Sequence, residues 1–271
     1  MLEQGTWEEA VRTLLQDPEQ SELVEACYYD EPLAACAQRF YESDEWSYTR
    51  CYLPPLSQGN NALDIGAGRG IASYALVKDG WHVSALEPDE SELVGAGAIR
   101  KLASENDLDI TVITSKGESL PFEEGTFDLV YVRQVLHHAD HLERFCQEIS
   151  RVLKQGGTFI AVREHVLSRQ KDLDVFLKRH PLHHLYGGEH AYKLCEYTRA
   201  IKQSGIKMQK ILPPYSNPIN LFPLSAKEIQ KKLKTTLRMT VPLCAIRFGL
   251  RVLDVISRQP GRLYSFIGIK L

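Results

Sequence analysis

The chain has 271 residues, 44% of them hydrophobic and 25% charged, with a formal net charge of −3. That length is long for one average domain and short for two large ones, and the composition is that of a soluble globular chain. The slight acidity excludes a general nucleic-acid binder, and no apolar run is long enough to span a bilayer.

In chain order, residues 6–16 and 19–29 read as two short amphipathic helices and 32–41 as a third, broken ahead of Pro54 and Pro55. The first nine residues are acidic where an export signal would be basic and then apolar. The six cysteines (Cys27, Cys36, Cys51, Cys146, Cys195, Cys244) form no C-x-x-C pair and have no metal-like spacing, as expected of reduced, mostly buried thiols. Both features point to a cytoplasmic protein.

Residues 61–70, Asn-Ala-Leu-Asp-Ile-Gly-Ala-Gly-Arg-Gly, organise the rest. Ala62, Leu63 and Ile65 make the apolar run of a strand buried on both faces. The run breaks at Gly66, Gly68 and Gly70, and a helical pattern resumes over 71–78. A strand that turns into a helix over glycines lets a ligand lie against bare backbone. Residues 81–86 read as a second strand with Glu87 at its end, where an acid reaches the two hydroxyls of a ribose. A dinucleotide fingerprint would be G-x-G-x-x-G, but Ile71 stands where its third glycine belongs. Asp64, two residues ahead of the turn, suits a cationic ligand better than a pyrophosphate.

Leu63-Asp64-Ile65-Gly66-Ala67-Gly68-Arg69-Gly70, with Glu87 as the ribose acid, resembles the first motifs of the class I S-adenosylmethionine-dependent methyltransferases, in the group that includes quinone-pathway and natural-product enzymes. The resemblance implies an α/β, Rossmann-like doubly wound sheet, mostly parallel with an antiparallel last strand. It implies S-adenosylmethionine as cofactor and S-adenosylhomocysteine as product. Gly66, Ala67, Gly68 and Gly70 would form the cofactor turn, Asp64 would brace it, and Glu87 with Pro88 would hold the ribose. In such proteins an N-terminal helical cap often covers the cofactor, which makes Phe40, Tyr41 and Trp46 lid candidates. The simpler reading, that these rings pack the cap onto the sheet, is preferred.

Residues 90–106 read as a helix and 110–114 as a β-branched strand. Residues 115–122, Ser-Lys-Gly-Glu-Ser-Leu-Pro-Phe, are similar to the family's adenine-binding loop and match well at Leu120-Pro121-Phe122. The family's usual acid is replaced by Lys116, which has donors only. Gly117 or Glu118 would then serve the adenine. A strand over 127–132 leads into Arg133-Gln134-Val135-Leu136-His137-His138, similar to the motif beside the methionine part of the cofactor. Arg133 and Gln134 are assigned there by position. A helix over 140–153 ends at Lys154-Gln155-Gly156-Gly157, and 158–163 is the fifth strand. The resemblance runs continuously to this point. Beyond it, helices over 173–184 and 194–204, a loop over 186–192, a strand over 206–212, an irregular proline-rich 213–223, a helical 225–257 and a closing strand over 263–270 are expected. The organisation is a cap over 1–57 and a sheet domain over 58–271, with a helical insertion at about 214–260.

Methyl transfer from a sulfonium needs two molecules held in register and water excluded, plus a base when the acceptor starts protonated. His165, flanked by Glu164, is the preferred base candidate, His138 the second and His190 the third; His137 is read as packing or capping. His180, His183, His184 and His190 have no recognisable metal spacing, and no metal is expected. Residues 225–262 carry nine basic residues against Glu228 and Asp254. The helix over 241–257 is read as a lid packed on the sheet with its arginines in solvent; contact with a lipid surface is the lesser reading. The functional expectation is methyl transfer to an oxygen or nitrogen of a small-molecule acceptor of glycan, lipid-linked or natural-product type. The rivals are a non-catalytic S-adenosylmethionine-binding subunit and a nicotinamide-dependent oxidoreductase.

Overall fold

A computed structural model describes residues 6–56, 60–180, 183, 189–236 and 238–271. Four cap helices come first: α1 (Trp7–Gln16), α2 (Ser21–Ala26), α3 (Leu33–Tyr41) and α4 (Asp44–Arg50). Thr6 caps α1 in a reciprocal box with Glu9, and Ser43 caps α4 through the Trp46 amide. The expected 19–29 helix is shorter, because Tyr28 takes a left-handed backbone, φ 60°, just past α2.

The apolar runs become the centre of an eight-stranded sheet. β1 (Asn61–Ile65) lies between β2 (His82–Leu86) and β4 (Phe127–Arg133), parallel to both, with Leu63 opposite Ser84 and Val130. β3 (Ile110–Ile113) pairs with β2, and β5 (Leu153–Leu167) with β4. β8 (Arg262–Lys270) runs antiparallel between β5 and β7 (Ile206–Leu212), while the two-residue β6 (Tyr192–Lys193) pairs with β5. The order β3-β2-β1-β4-β5-β8-β7 reverses between β1 and β4. The crevice for ligands in a doubly wound sheet opens there, at the carboxyl ends of the strands.

Helices α5 (Ile71–Lys78), α6 (Ala96–Glu105), α7 (Leu142–Val152), α8 (Leu173–Leu177) and α9 (Leu194–Gln203) connect these strands. The insertion holds α10 (Pro218–Leu221), α11 (Ala226–Thr236) and α12 (Leu243–Ile256). Two apolar clusters fill the sheet's faces, one joining Phe40, Trp46 and Tyr131 to α5, the other joining Phe145 and Ile149 of α7 to Phe159 and Phe266.

Several boundaries differ from the sequence expectation. The helix expected over 90–106 begins only at Ala96, because Ser91 caps the Leu93 and Val94 amides and Asp89 accepts from the Ala96 amide. Residues 154–157 do not end a helix in a loop; they open β5, with Gly156 at φ 76°. The 173–184 helix is interrupted: α8 ends at Leu177, residues 178–180 are not helical, His183 is helical again, and residues 181, 182 and 184–188 lie outside the described residues. The helical 225–257 divides into α11 and α12, parted by non-helical residues 238–242. Of the six thiols, Cys51, Cys195 and Cys244 are exposed and Cys27 partly so; only Cys36 and Cys146 are buried. Among the described residues no helix is long and apolar enough to cross a membrane.

Candidate functional site

The turn after β1 is pinned to β2: the Gly66 and Ala67 amides donate to the Leu86 carbonyl at 2.8 and 3.2 Å. At Gly66, φ 67°, a Cβ would sit 2.4 Å from a Val135 methyl, so the backbone of β1 and the segment after β4 can approach only without one. At Gly68, φ 54°, the nearest atom to an added Cβ is the Val94 carbonyl oxygen at 4.0 Å, so this glycine borders open space. Its amide donates to Glu87 Oε2 at 2.7 Å, and the Asp89 amide, just past the exposed Pro88, donates to Oε1 at 3.0 Å. The Glu87 carboxylate, 8% exposed, keeps lone pairs for further donors. Burial pushes it up to about pKa 7. Asp64 is buried under the turn, accepts from Ser73 Oγ at 2.7 Å and so ties β1 to α5; burial pushes it up to about 6. A nucleoside diol at Glu87 beside bare Gly68 backbone fits this geometry.

The two glycines make different predictions. Gly66→Ala is expected to cost several kcal/mol of stability, since Val135 must move and the backbone is left-handed. Gly68→Ala is expected to cost only about 1–2 kcal/mol, the strain of a left-handed alanine, while weakening cofactor binding more. Thermal unfolding with and without S-adenosylhomocysteine checks both, and equal losses of stability would sink the distinction.

Gly117 is small for another reason: a Cβ there would lie 2.3 Å from the Phe145 ring. Glu118 turns to the Asp140 amide at 3.2 Å, and Lys116 is exposed.

Two non-glycine residues here lie in the left-handed region, Gln134 just past β4 at φ 57° and Arg163 inside β5 at φ 62°. Such strain persists where surrounding structure enforces it, and it clusters at functional sites. Arg163 sits at a register shift against β8, and the strand continues beyond it, so Arg163, Glu164 and His165 lie within β5 and not past its end. Arg133 is engaged by the cap: its Nε and Nη2 grip Glu45 of α4 at 2.7 and 3.0 Å. Arg163 Nε lies 3.7 Å from the same carboxylate, and its Nη1 donates to the Ile219 and Phe222 carbonyls of the insertion, each at 2.8 Å. Glu45 is fully buried; burial alone would raise it, yet Arg133 and Arg163 hold it below the ordinary range. Arg69 also crosses to the cap, donating to the Tyr28 and Asp30 carbonyls at 2.8 and 3.0 Å and pairing with Glu31. Phe40 and Trp46 are buried in the core, and Tyr41 and Trp46 both donate to Asp79, so these three rings pack the cap and are not a lid.

Glu164, fully buried, accepts from the Val135 and His137 amides, each at 3.1 Å, and from His137 Nδ1 at 2.7 Å. It is therefore a clamp on the segment after β4. His137 Nε2 faces Glu189 Oε2 at 3.6 Å. Burial works against a charge on His137, but the two carboxylates outweigh it and hold the imidazole at about pKa 9. Glu189, which burial alone would raise, is held at about 2 by His137, His138 and His180. His165 donates through Nδ1 to the Gly261 carbonyl, 2.9 Å, a contact that requires the Nδ1–H tautomer and leaves Nε2 bare. Its ring lies among His137, Phe176 and His180, and burial with the His137 charge pushes its pKa well down. His190, half-buried against Tyr192, is also lowered by burial. His138 is exposed, its ring tilted at 41° against that of His137 with centroids 4.1 Å apart. Ligand atoms of His137, His138 and Glu189 lie within 4.8 Å of one another, a grouping able to hold an ion that the sequence reading did not find. Glu45 was likewise missed; no motif marks it.

Residues 63–161 match the family model described as a methyltransferase domain. The chain is 27% identical over 195 residues to the sterol 24-C-methyltransferase of Schizosaccharomyces pombe, covering 66% of this chain and 50% of that protein. It is 35% identical over 134 residues to the sarcosine/dimethylglycine N-methyltransferase of Halorhodospira halochloris, covering 48% and 45%. It thus spans about half the length of these curated relatives. The fold is similar to that of geranyl diphosphate C-methyltransferase from Streptomyces coelicolor A3(2), with TM-score 0.61 and 16% identity over 96% of this chain and 87% of that one.

Proposed function

We propose that this chain, which carries a class I S-adenosylmethionine-dependent methyltransferase domain, transfers a methyl group to an oxygen or nitrogen atom of a small-molecule acceptor. The observation that carries this reading is the cradle formed by Gly68, open above its backbone, and the Glu87 carboxylate at the switch point of the sheet. When bound, S-adenosylmethionine supplies an electrophilic methyl group. Glu87 would accept from the ribose hydroxyls, Asp64 holds the turn against α5, and Glu164 fixes the segment after β4 that would hold the methionine part. His138, the exposed member of the cluster, takes the acceptor's proton in preference to His165, whose charge is disfavoured by burial and by His137 and His180. Near neutral pH, His137 stays an imidazolium between two carboxylates and orients without accepting a proton.

Binding is tested by thermal unfolding with S-adenosylhomocysteine, S-adenosylmethionine and NADH. Both sulfur nucleosides are expected to stabilise the protein, by about 2.7 kcal/mol at a hundred times the dissociation constant. Stabilisation by NADH alone would overturn the reading. Labelled methyl transfer to panels of hydroxylated and aminated acceptors then identifies the acceptor class. With an acceptor in hand, His138→Gln is expected to lower kcat by about a hundredfold or more with KM little changed. An unaltered kcat would remove His138 as the base.

A further inference from the structure

The expectation that α12 packs as a lid with its arginines in solvent accounts for only part of its apolar surface. Only Ile246 and Leu250 of this helix are buried. Phe248, Val252, Val255 and Ile256 are 68, 38, 71 and 62% exposed. At about 100° per residue, Phe248, Val252 and Val255 fall within roughly 60° of one another, on the side opposite Ile246 and Leu250. Arg247 and Arg251 line one border of that stripe, within a sector of roughly 40°, and Arg258 follows just past the end of the helix. All three arginines are exposed. Scattered single apolar residues on a surface need no explanation, but a continuous stripe does.

The helix before it adds the complementary charge. Lys227, Lys231 and Lys234 lie on one face of α11 and line a hollow of about 340 Å³ together with Gln230 and Thr240. Gln230 donates to the Val241 carbonyl at 2.7 Å and so holds the connector to α12 beside this hollow. Of the two acids in residues 225–262, Asp254 is turned to the Tyr215 and Ser216 amides, which leaves Glu228 as the one acid not so engaged. An apolar stripe bordered by arginines, beside a lysine-lined hollow, matches the layering of an anionic bilayer surface. Apolar rings enter the acyl boundary, guanidinium groups stay at headgroup level, and phosphates meet the lysines.

We propose that α11 and α12 dock this protein on the surface of an anionic lipid bilayer, with Phe248 and Val255 inserted and the lysine face of α11 on the headgroup phosphates. This surface shares no residue with the Gly68–Glu87 cradle, so the proposal stands independently of the catalytic reading.

The test is flotation of the full chain with vesicles of phosphatidylcholine alone and of phosphatidylcholine with phosphatidylglycerol in equal parts. Binding is expected to the mixed vesicles, to weaken as salt is raised, and to be small with phosphatidylcholine alone. Phe248→Ser with Val255→Ser is expected to lower the partition coefficient at least about tenfold, with the thermal midpoint and the affinity for S-adenosylhomocysteine unchanged. Lys227→Glu with Lys231→Glu and Lys234→Glu is expected to abolish the preference for the anionic lipid. Equal binding to both vesicles, absence of binding, or a serine variant that binds like the parent would overturn the proposal. So would a dimer by light scattering that Phe248→Ser dissociates when vesicles are not bound, which would assign the stripe to a second copy of the chain. Displacement from vesicles by inorganic phosphate at matched ionic strength would assign the lysines to a soluble anion instead.

Discussion

Replacing Glu87 by alanine is expected to raise the dissociation constant of S-adenosylhomocysteine by about a hundredfold. The carboxylate sits at the end of β2 with its two oxygens already anchored by the Gly68 and Asp89 amides at 2.7 and 3.0 Å, so its remaining lone pairs are aimed before a ligand arrives. A hydrogen bond to a charged acceptor contributes about 1.5–3 kcal/mol, and a ribose offers two hydroxyl donors, which sets the hundredfold scale at the lower end. The same residue predicts a pH dependence. Burial places Glu87 at about 7 in the free protein, so below that pH it is protonated and has fewer lone pairs for the diol. Since the ligand favours the ionised form, affinity is expected to be constant above about pH 8 and to fall as pH drops through 7, approaching tenfold per pH unit. Calorimetric titration across that range, on the parent and on Glu87→Gln, tests both statements. A pH-independent affinity in the parent, or an alanine variant that binds as tightly, would remove Glu87 from the ribose site. For folding the sign is opposite: a carboxylate raised above its unfolded value adds stability at low pH, which is lost as pH rises through 7.

Glu45→Ala carries the second large effect. It is expected to cost about 3–5 kcal/mol, because it strands Arg133 and Arg163 as buried cations. For a chain of this size the unfolding midpoint should fall by roughly 10 °C. The loss is structural in origin but reaches the site, since Arg133 leads directly into the strained Gln134 and Arg163 holds the Ile219 and Phe222 carbonyls. Glu45→Ala combined with Arg133→Ala is expected to be less damaging than the sum of the single changes, because the pair is removed together. Additive losses, or a single loss below about 1 kcal/mol, would show that the carboxylate is not the link between cap, sheet and insertion.

The short apolar runs, glycine turns and amphipathic stretches marked the strands and helices, and the resemblance they carry implied a doubly wound, mostly parallel sheet with an antiparallel last strand, which the sheet has. That success has a local cause. Leu63 and Ile65 are apolar because both faces of β1 are covered, and Gly66 and Gly68 are glycine because their own backbone is left-handed. Such demands act within one strand and one turn, so they leave marks at fixed spacing in the chain.

What only the tertiary structure decided is set by contacts between distant residues. Arg133 is read from sequence beside a cofactor, yet its side chain is taken by Glu45, 88 positions away. Glu164 stands beside a candidate base, yet its carboxylate holds amides 27 and 29 positions earlier. His137 looks like packing until Glu164 and Glu189 close on it from opposite ring nitrogens. The apolar face of α12 gives the same periodicity whether it meets a core or lies open, because periodicity records which residues share a face and not what that face meets. Turns and strands are encoded by neighbours, whereas ion pairs, proton positions and exposed faces are decided by which distant segments the fold brings together.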